Sequence, residues 1–380
     1  MYEAVMSLDS VRLPENQNHG YLATNFCGQI LHRSVTTSLN TSSVEVENYA
    51  AGMLGKVGTG YHDFTWPDKA FLDLDYGYVT FPSKHRCEEK REAETREIFM
   101  STMVSVNGFR PRLLPQFVRH YASMGIKRSH MLFTVQMNTW SPVESVKKVI
   151  STLLQEDTYF DVFIGNWSSE ALMYHQAHKL QHCTTTDDWI VVADSDEFHE
   201  YPSHNLSAFL RKLDTKGVNM VNGLFLDRVT SDGKLQSMSD KVRLPIQYPL
   251  GCRLHATWSL GTAKKVMAFR GYLRVNRGHH RIAMCWFWAR RSYMHITPWS
   301  HCPPTYNRFP EPRPYKKKLN VHHFKWMAGQ YEATVHKAKV WAGTPVGLRY
   351  EEVRSALEQY KGICVSCHAC VRAPKLHILR

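Results

Sequence analysis

The sequence has no long apolar stretch. Its hydrophobic residues, 43% of the 380, come in short bursts such as 189–193. No run approaches the roughly 18 residues that span a bilayer, so no transmembrane segment is expected. A basic start before an apolar run is also missing: MYEAVMSLDS carries acidic Glu3 and Asp9, no secretory signal is visible, and a cytoplasmic protein is the expectation. Negative charge is scarce. Thirty-four Asp and Glu face 47 Lys and Arg, for a net charge of +13 with the histidines neutral. That surplus suits nucleic acid, a phosphate-bearing small molecule or an acidic membrane surface, and a solvated basic face explains it equally well. The spacings of a zinc-finger or RNA-recognition module are absent, so nucleic acid is not the expected partner. Nine cysteines make an odd number without a repeating framework, which argues against a disulfide scaffold and for reduced, mostly buried thiols. The tail CVSCHAC (Cys364, Cys367, Cys370) lacks the second ligand pair of a zinc site and the fourth cysteine of an iron–sulfur run. Asn-x-Ser/Thr patterns at Asn40, Asn166 and Asn205 require a secretory route to matter.

What is present is an ordinary globular composition and, from Ile98 onward, regular periodicity. Residues 1–97 are patternless by comparison and are read as an N-terminal extension or cap, with 84–97 a connecting helix. Strands are expected at 98–106, 130–137, 159–165 and 189–194, because each is a short apolar or β-branched run. Helices are expected between them. The first carries Leu113, Leu114, Phe117, Val118 and Tyr121 at helical spacing and stops at Gly125. The second is capped by Ser141 with Pro142 and Glu144, and buries Val143, Val146, Val149, Ile150 and Leu153; the third covers 168–180. Four alternations within about a hundred residues imply an α/β sheet, mostly parallel and flanked by helices. A domain over 98–330 is expected, followed by a helical tail with the cysteine cluster at 331–380 and a basic C-terminal region. Ligands of such sheets sit beyond the carboxyl ends of the strands, so the residues after Ala193 should line the site.

Those residues are Asp194-Ser195-Asp196-Glu197-Phe198. Three carboxylates within four residues repel one another and lose hydration at the end of a buried strand. A divalent cation offsets both costs, and hard oxygen ligands suit Mg²⁺ or Mn²⁺. Alternate residues of an extended segment point the same way, which lets Asp194 and Asp196 share a ligand. The bland alternative is a polar strand end followed by a helix begun by Pro202 and Ser203. A haloacid-dehalogenase type of phosphatase also uses two aspartates one residue apart. It places them after the first strand, with a small residue where Phe198 stands here.

The segment WIVVADSDEF (189–198) resembles the aspartate-x-aspartate segment of GT-A glycosyltransferases, in particular the family 2 and family 92-like enzymes, whose motif reads W-(apolar)-D-x-D-E-F. The resemblance runs from Phe99 to Trp326. It includes Asn107 after the first strand, RHYASMGI (119–126), Gln176 before the motif strand and VHHFKW (321–326); Gly108 departs from the acidic residue of many family 2 members. It implies a GT-A-like, Rossmann-type fold and a metal-dependent transfer of sugar from a nucleotide-sugar donor (UDP- or GDP-sugar) to a hydroxyl of a glycan, lipid or protein. By the same resemblance Asp194 lies near the ribose or metal, and Asp196 binds Mn²⁺ or Mg²⁺. A late histidine, His323 before His322, completes the metal site. Asn107, Gln176 and Lys325 contact the donor, and Arg313 is a further candidate for its diphosphate.

An inverting displacement needs a carboxylate base. Asp227 is the first candidate and Glu197 the second, while Asp232 is explained by its Asp-Gly turn. Asp227 could instead pair with Arg228. The stretch 270–282, with Gly278, His279 and His280 among arginines, reads as a basic hairpin or a phosphate or acceptor contact. Trp286, Trp288 and Trp299 could stack on sugars or pack in the core. Two other readings remain open: a basic nucleic-acid-binding protein, and a glycosyltransferase fold without activity.

Overall fold

The computed structural model describes residues 77–80, 96–106, 113–137, 143–164, 176, 179–180, 183–239, 241–254, 258, 263–273, 275, 277–282, 311–368 and 370–373. Strand β1 (Gly77–Thr80) precedes β2 (Ile98–Ser105), helix α1 (Leu113–Ser123), β3 (Met131–Met137), α2 (Val143–Gln155), β4 (Tyr159–Ile164) and β5 (Trp189–Val192). Then follow β6 (Glu197–Glu200), α3 (Leu206–Asp214), β7 (Met220–Val229), the single turn α4 (Leu244–Gln247), β8 (Leu250–Cys252) and β9 (Lys264–Arg270). The chain continues with β10 (Leu319–His323), α5 (Gln330–Val340), α6 (Pro345–Tyr360) and β11 (Val371–Arg372).

The four strands expected from periodicity are β2 to β5, each within two residues of its expected ends. Helix α1 buries Leu113, Leu114, Phe117, Val118 and Tyr121 and stops where Gly125 takes φ 96°. Helix α2 buries Val146, Val149, Ile150 and Leu153. Its expected cap at Ser141 and Pro142, and most of 168–180, lie outside the described residues, as do residues 84–95 of the expected connecting helix; Arg96 and Glu97 are not helical. Helix α3 starts later than Pro202–Ser203. Asn205 is its N-cap, and its Oδ1 accepts from the amide of Ala208 at 2.9 Å, while Ser203 caps only the bend before it.

These elements form an 11-stranded sheet in the order β1-β4-β3-β2-β5-β9-β7-β10-β6, with β8 beside β7 and β11 beside β8. Neighbours β4, β3, β2 and β5 are parallel, and β7 is parallel to β10. Strand β9 enters between β5 and β7 antiparallel to both. This is the α/β class expected, a mostly parallel sheet flanked by helices, with one added element: the reversed strand brings its first residues to the rim where its neighbours end. Alternation along β5 sends Trp189 and Val191 into one core with α1, α2 and α3, and Ile190 and Val192 into a second core with Leu180 and Cys183. Both faces are thus covered, as a central parallel sheet requires.

Segments on either side of the expected domain limits join this sheet. Strand β1 pairs with β4, and β11 pairs with β8. Helix α6, capped by the Thr344 hydroxyl on the Gly347 amide, contributes Val353 and Leu357 to a third core with Cys252 and Trp326. Cys252 and Cys370 are disulfide-bonded, as are Cys364 and Cys367. These bonds correct the expectation of reduced thiols. Counting cysteines along the chain could not show it, because Cys252 and Cys370 are brought together by the β8–β11 pairing across 118 residues. No helix among the described residues is long and apolar enough to cross a membrane.

Candidate active site

The end of β5 turns sharply. Glu197 N donates to Asp194 O at 2.8 Å, and Asp194 N donates to Glu197 Oε2 at 3.0 Å, so the acidic segment is a closed turn tied by its own carboxylate. Strand β6 then runs antiparallel to β10, which sets Glu197 opposite His323, while Asp227 of β7 lies opposite the same histidine from the other side. Asp227 in turn faces Cys252 on β8. The strand ends therefore bring Asp194, Asp196, Glu197, Asp227 and His323 to one rim.

Lys265, near the start of reversed β9, enters this cluster and was not among the residues singled out from sequence. Its Nζ donates to Asp194 Oδ2 at 2.8 Å and to Glu197 Oε1 at 2.7 Å, and it lies 5.6 Å from the centre of the Phe225 ring. The partner of Lys265 on β7 is Gly223, where no side chain fits. A Cβ there would stand 2.6 Å from Met267 Sδ and 2.7 Å from Val321 Cγ2, on the face that Lys265 shares with Met267. The ammonium divides the acids unequally. Burial works against an ionised Asp194, but the ammonium of Lys265 outweighs it and holds the carboxyl at about 2. Burial and the charge of Asp194 push Glu197 up to about 8.

On the other side, His323 Nδ1 lies 2.9 Å from Asp227 Oδ1, which also accepts from Trp326 Nε1 at 3.0 Å. The second ring nitrogen, Nε2, faces Asp196 Oδ2 at 3.6 Å. Burial opposes a charged ring, yet Asp196 and then Asp227 outweigh it and lift His323 to about 9. His322 points to the opposite face, as the period of a strand demands. There it meets Arg228 through Nδ1 at 3.1 Å and Glu200 through Nε2 at 3.1 Å, and Arg228 caps the carbonyl of Tyr248. Asp227 is thus bound to His323 and Trp326, with Arg228 on the far face.

A third histidine borders the cluster. Val275 and Ile282 pair antiparallel around a turn in which Gly278 and His279 take φ 72° and 58°, so the expected hairpin is present. His279 is fully buried, Nε2 lying 3.0 Å from Gln176 Oε1 and Nδ1 3.9 Å from Asp194 Oδ1. Burial and the nearby Lys265 hold it down at about 3, so its ring is neutral.

Two of the expected base candidates are closed off as arranged. Glu197 is 1% exposed with both carboxylate oxygens engaged, and Asp227 is fully buried. Asp194 and Asp196 are open, their side chains 42% and 29% exposed. Lys325 follows β10, half-buried beside the Trp326 ring at 5.5 Å; burial and then Lys337 lower its pKa. Arg313 is exposed, and its backbone amide is anchored by Asn219 Oδ1 at the beginning of β7. That is the opposite end of the strand from Asp227, so the candidacy of Arg313 for the diphosphate is withdrawn. Asp232 accepts from the Lys234 amide and the Thr230 hydroxyl within its turn. Asn107, Trp286, Trp288 and Trp299 lie outside the described residues. Among the described residues no group of three or more His, Cys, Asp or Glu side chains is arranged to hold a metal ion.

No family model matches the chain, and no curated protein matches it in sequence. Solved structures similar to it include a mannosyltransferase from Pyrobaculum calidifontis in complex with GDP-Man and Mn²⁺. It is 10% identical, the match covers 72% of this chain and 74% of that one, and the TM-score is 0.31. Others are a CMP:2-keto-3-deoxy-manno-octonic acid synthetase complexed with CTP (12% identity, 69% and 99% coverage, TM-score 0.28) and mouse xyloside xylosyltransferase 1 (13%, 34% and 53%, TM-score 0.20). Two of the three are named glycosyltransferases. At these TM-scores they add nothing to the fold assignment, which rests on the sheet topology.

Proposed function

We propose that the chain is a metal-assisted glycosyltransferase that takes a UDP- or GDP-sugar and transfers its sugar to a hydroxyl of a glycan, lipid or protein. The observation that carries this reading is the pairing of each motif aspartate with a buried histidine at one rim of the sheet, Asp194 with His279 and Asp196 with His323.

The donor set fits a divalent cation on the Asp196 side. The Nδ1 of His323 is committed to Asp227, so Nε2 is the nitrogen turned toward Asp196, and an oxygen–nitrogen pair backed by a second-sphere carboxylate is a familiar metal arrangement. Asp196 and His323 would hold Mn²⁺ or Mg²⁺, and diphosphate oxygens would supply further ligands. When bound, the cation would stabilise the charge that builds on the departing nucleotide diphosphate. Asp227 keeps the His323 ring turned and its Nε2 directed outward. Lys265 neutralises Asp194 and Glu197, which lets the turn carry three carboxylates without unfolding the rim. Lys325 adds positive charge beside the strand end, where a diphosphate would lie.

The inverting course expected from sequence requires a base that reaches the acceptor. Glu197 and Asp227 are positioning residues in this proposal, and no base is assigned.

The test is a thermal-shift screen of UDP, GDP, CMP, TDP and UDP- and GDP-sugars, each with and without Mn²⁺. A shift for one nucleotide that requires Mn²⁺ and disappears in Asp196→Asn supports the reading. No shift with any of them would sink it.

A further inference from the structure

Of the seven large apolar side chains exposed among the described residues, three surround one connection: Val340 at 60%, Trp341 at 49% and Leu348 at 64%. It is the turn 341–344 between α5 and α6, within KAKVWAGTPVGLRY (337–350). Single exposed apolar residues are ordinary on a protein surface, but a group at one tip is a patch. Helix α5 is inverted relative to a usual surface helix. It buries Gln330, Thr334 and Ala338 at i, i+4 and i+8, and turns its large apolar end, Val340 with Trp341 after it, toward water. The backbone of the tip is closely tied. Trp341 O accepts from Thr344 N at 3.1 Å and from the Thr344 hydroxyl at 2.6 Å, and Gly343 takes φ 77°. A Cβ on Gly347 would lie 2.0 Å from Trp341 O, so α6 begins hard against the turn. A backbone held in this way has little freedom left to lose when the indole meets a partner.

Positive charge collars the tip. Lys337 and Lys339 are exposed on the last turn of α5, and the first acids of α6, Glu351 and Glu352, are paired with Arg354 and Arg349. Lys337 also lies close enough to Lys325, just after β10, for their charges to oppose each other, which sets the tip on the Asp196 side of the molecule. A second copy of the chain is a poor occupant. In a two-fold contact the lysines would meet their own counterparts, and three side chains fall far short of the roughly 800 Å² per partner that a stable interface buries. An indole and two aliphatic side chains ringed by lysines instead match the boundary of a bilayer, apolar below and negatively charged above. We propose that the α5–α6 tip docks on an anionic lipid surface, with Val340, Trp341 and Leu348 entering the boundary between headgroups and acyl chains while Lys337 and Lys339 meet the anionic headgroups. This docking does not depend on the glycosyltransferase reading; where both hold, the rim works beside a bilayer.

The experiment mixes the full chain with sucrose-loaded vesicles of phosphatidylcholine, or of phosphatidylcholine with phosphatidylserine, and reads the bound fraction by sedimentation. Wild type should bind the phosphatidylserine vesicles about tenfold more strongly, and added salt should remove the difference. Trp341→Ala should weaken that binding about tenfold, Leu348→Ser somewhat less, and Lys337→Gln combined with Lys339→Gln should lower the preference for phosphatidylserine about tenfold. No binding to either vesicle would overturn the proposal. Binding that neither Trp341→Ala nor the double lysine variant changes would also overturn it, by assigning the attachment to another basic surface. A dimer in sedimentation equilibrium that Trp341→Ala disperses would do the same, by giving the tip to a second copy. Melting temperatures of the variants are measured alongside, and should Trp341→Ala not fold, Leu348→Ser decides by the same criterion. Nucleotide binding enters none of these readouts, so failure of the donor reading is seen separately in the thermal-shift screen.

Discussion

On the Asp194 side of the motif the neighbours are a buried ammonium and a neutral imidazole. On the Asp196 side they are an imidazole lifted toward its charged form and, behind it, a buried carboxylate. Two aspartates separated by one serine therefore meet opposite electrostatic conditions. The charge of Asp194 is already balanced within the protein, which suits it to orient a neutral ligand. The Asp196 side has two carboxylates around one imidazole, so negative charge is left over there. What the difference teaches is that a motif's spacing does not assign roles; the charges brought beside it by distant strands do.

The comparison breaks most readily at Lys265. Lys265→Met should cost about 3–5 kcal/mol in urea unfolding, because Glu197 would be left buried without its ion-pair partner. A cost below about 1 kcal/mol would show that the ammonium does not balance the Asp194 side. Next in size is the Cys252–Cys370 bond, which anchors the strand facing Asp227. Replacing both cysteines by serine should remove about 2–4 kcal/mol of stability and lower the melting temperature to that of the reduced wild type. Asp227→Asn should weaken Mn²⁺ binding about 10–100-fold in a resonance titration. If instead sugar transfer vanishes with metal affinity intact, Asp227 is the base that the sequence suggested. The smallest effect is expected at Gly223, between the two sides: Gly223→Ala should cost about 1 kcal/mol as Met267 and Val321 give way.

Much of this was legible in the chain. Short β-branched runs such as WIVV are recognisable as central strands because both faces need apolar cover, and the acids after Ala193 follow from where a parallel sheet binds ligands. Lys265 was not legible. KKVMAFR looks like any apolar strand with a basic start, and only its reversal between β5 and β7 turns that start toward the acids. The choice between His322 and His323 likewise depends on register with β7, which no local pattern encodes. His279 belongs to a segment that reads as a basic turn, and its meaning comes from Gln176, 103 residues earlier. The helix starts at Leu206 rather than Pro202 because the Asn205 side chain accepts from a first-turn amide, whereas the Ser203 hydroxyl accepts only from Asn205 N.

The bond between Cys252 and Cys370 has a consequence for the order in which a newly made molecule matures. Ribosomes emit the chain from its amino end, so β2 to β5 and the acidic turn exist long before residue 370 does. The bridge that anchors the strand beside Asp227 can close only after the intervening 118-residue separation has been synthesised. A nascent chain therefore carries a complete aspartate motif before it carries the brace for the histidine side. Arrest of synthesis ahead of Cys370 would release a protein with the acids formed and that brace missing.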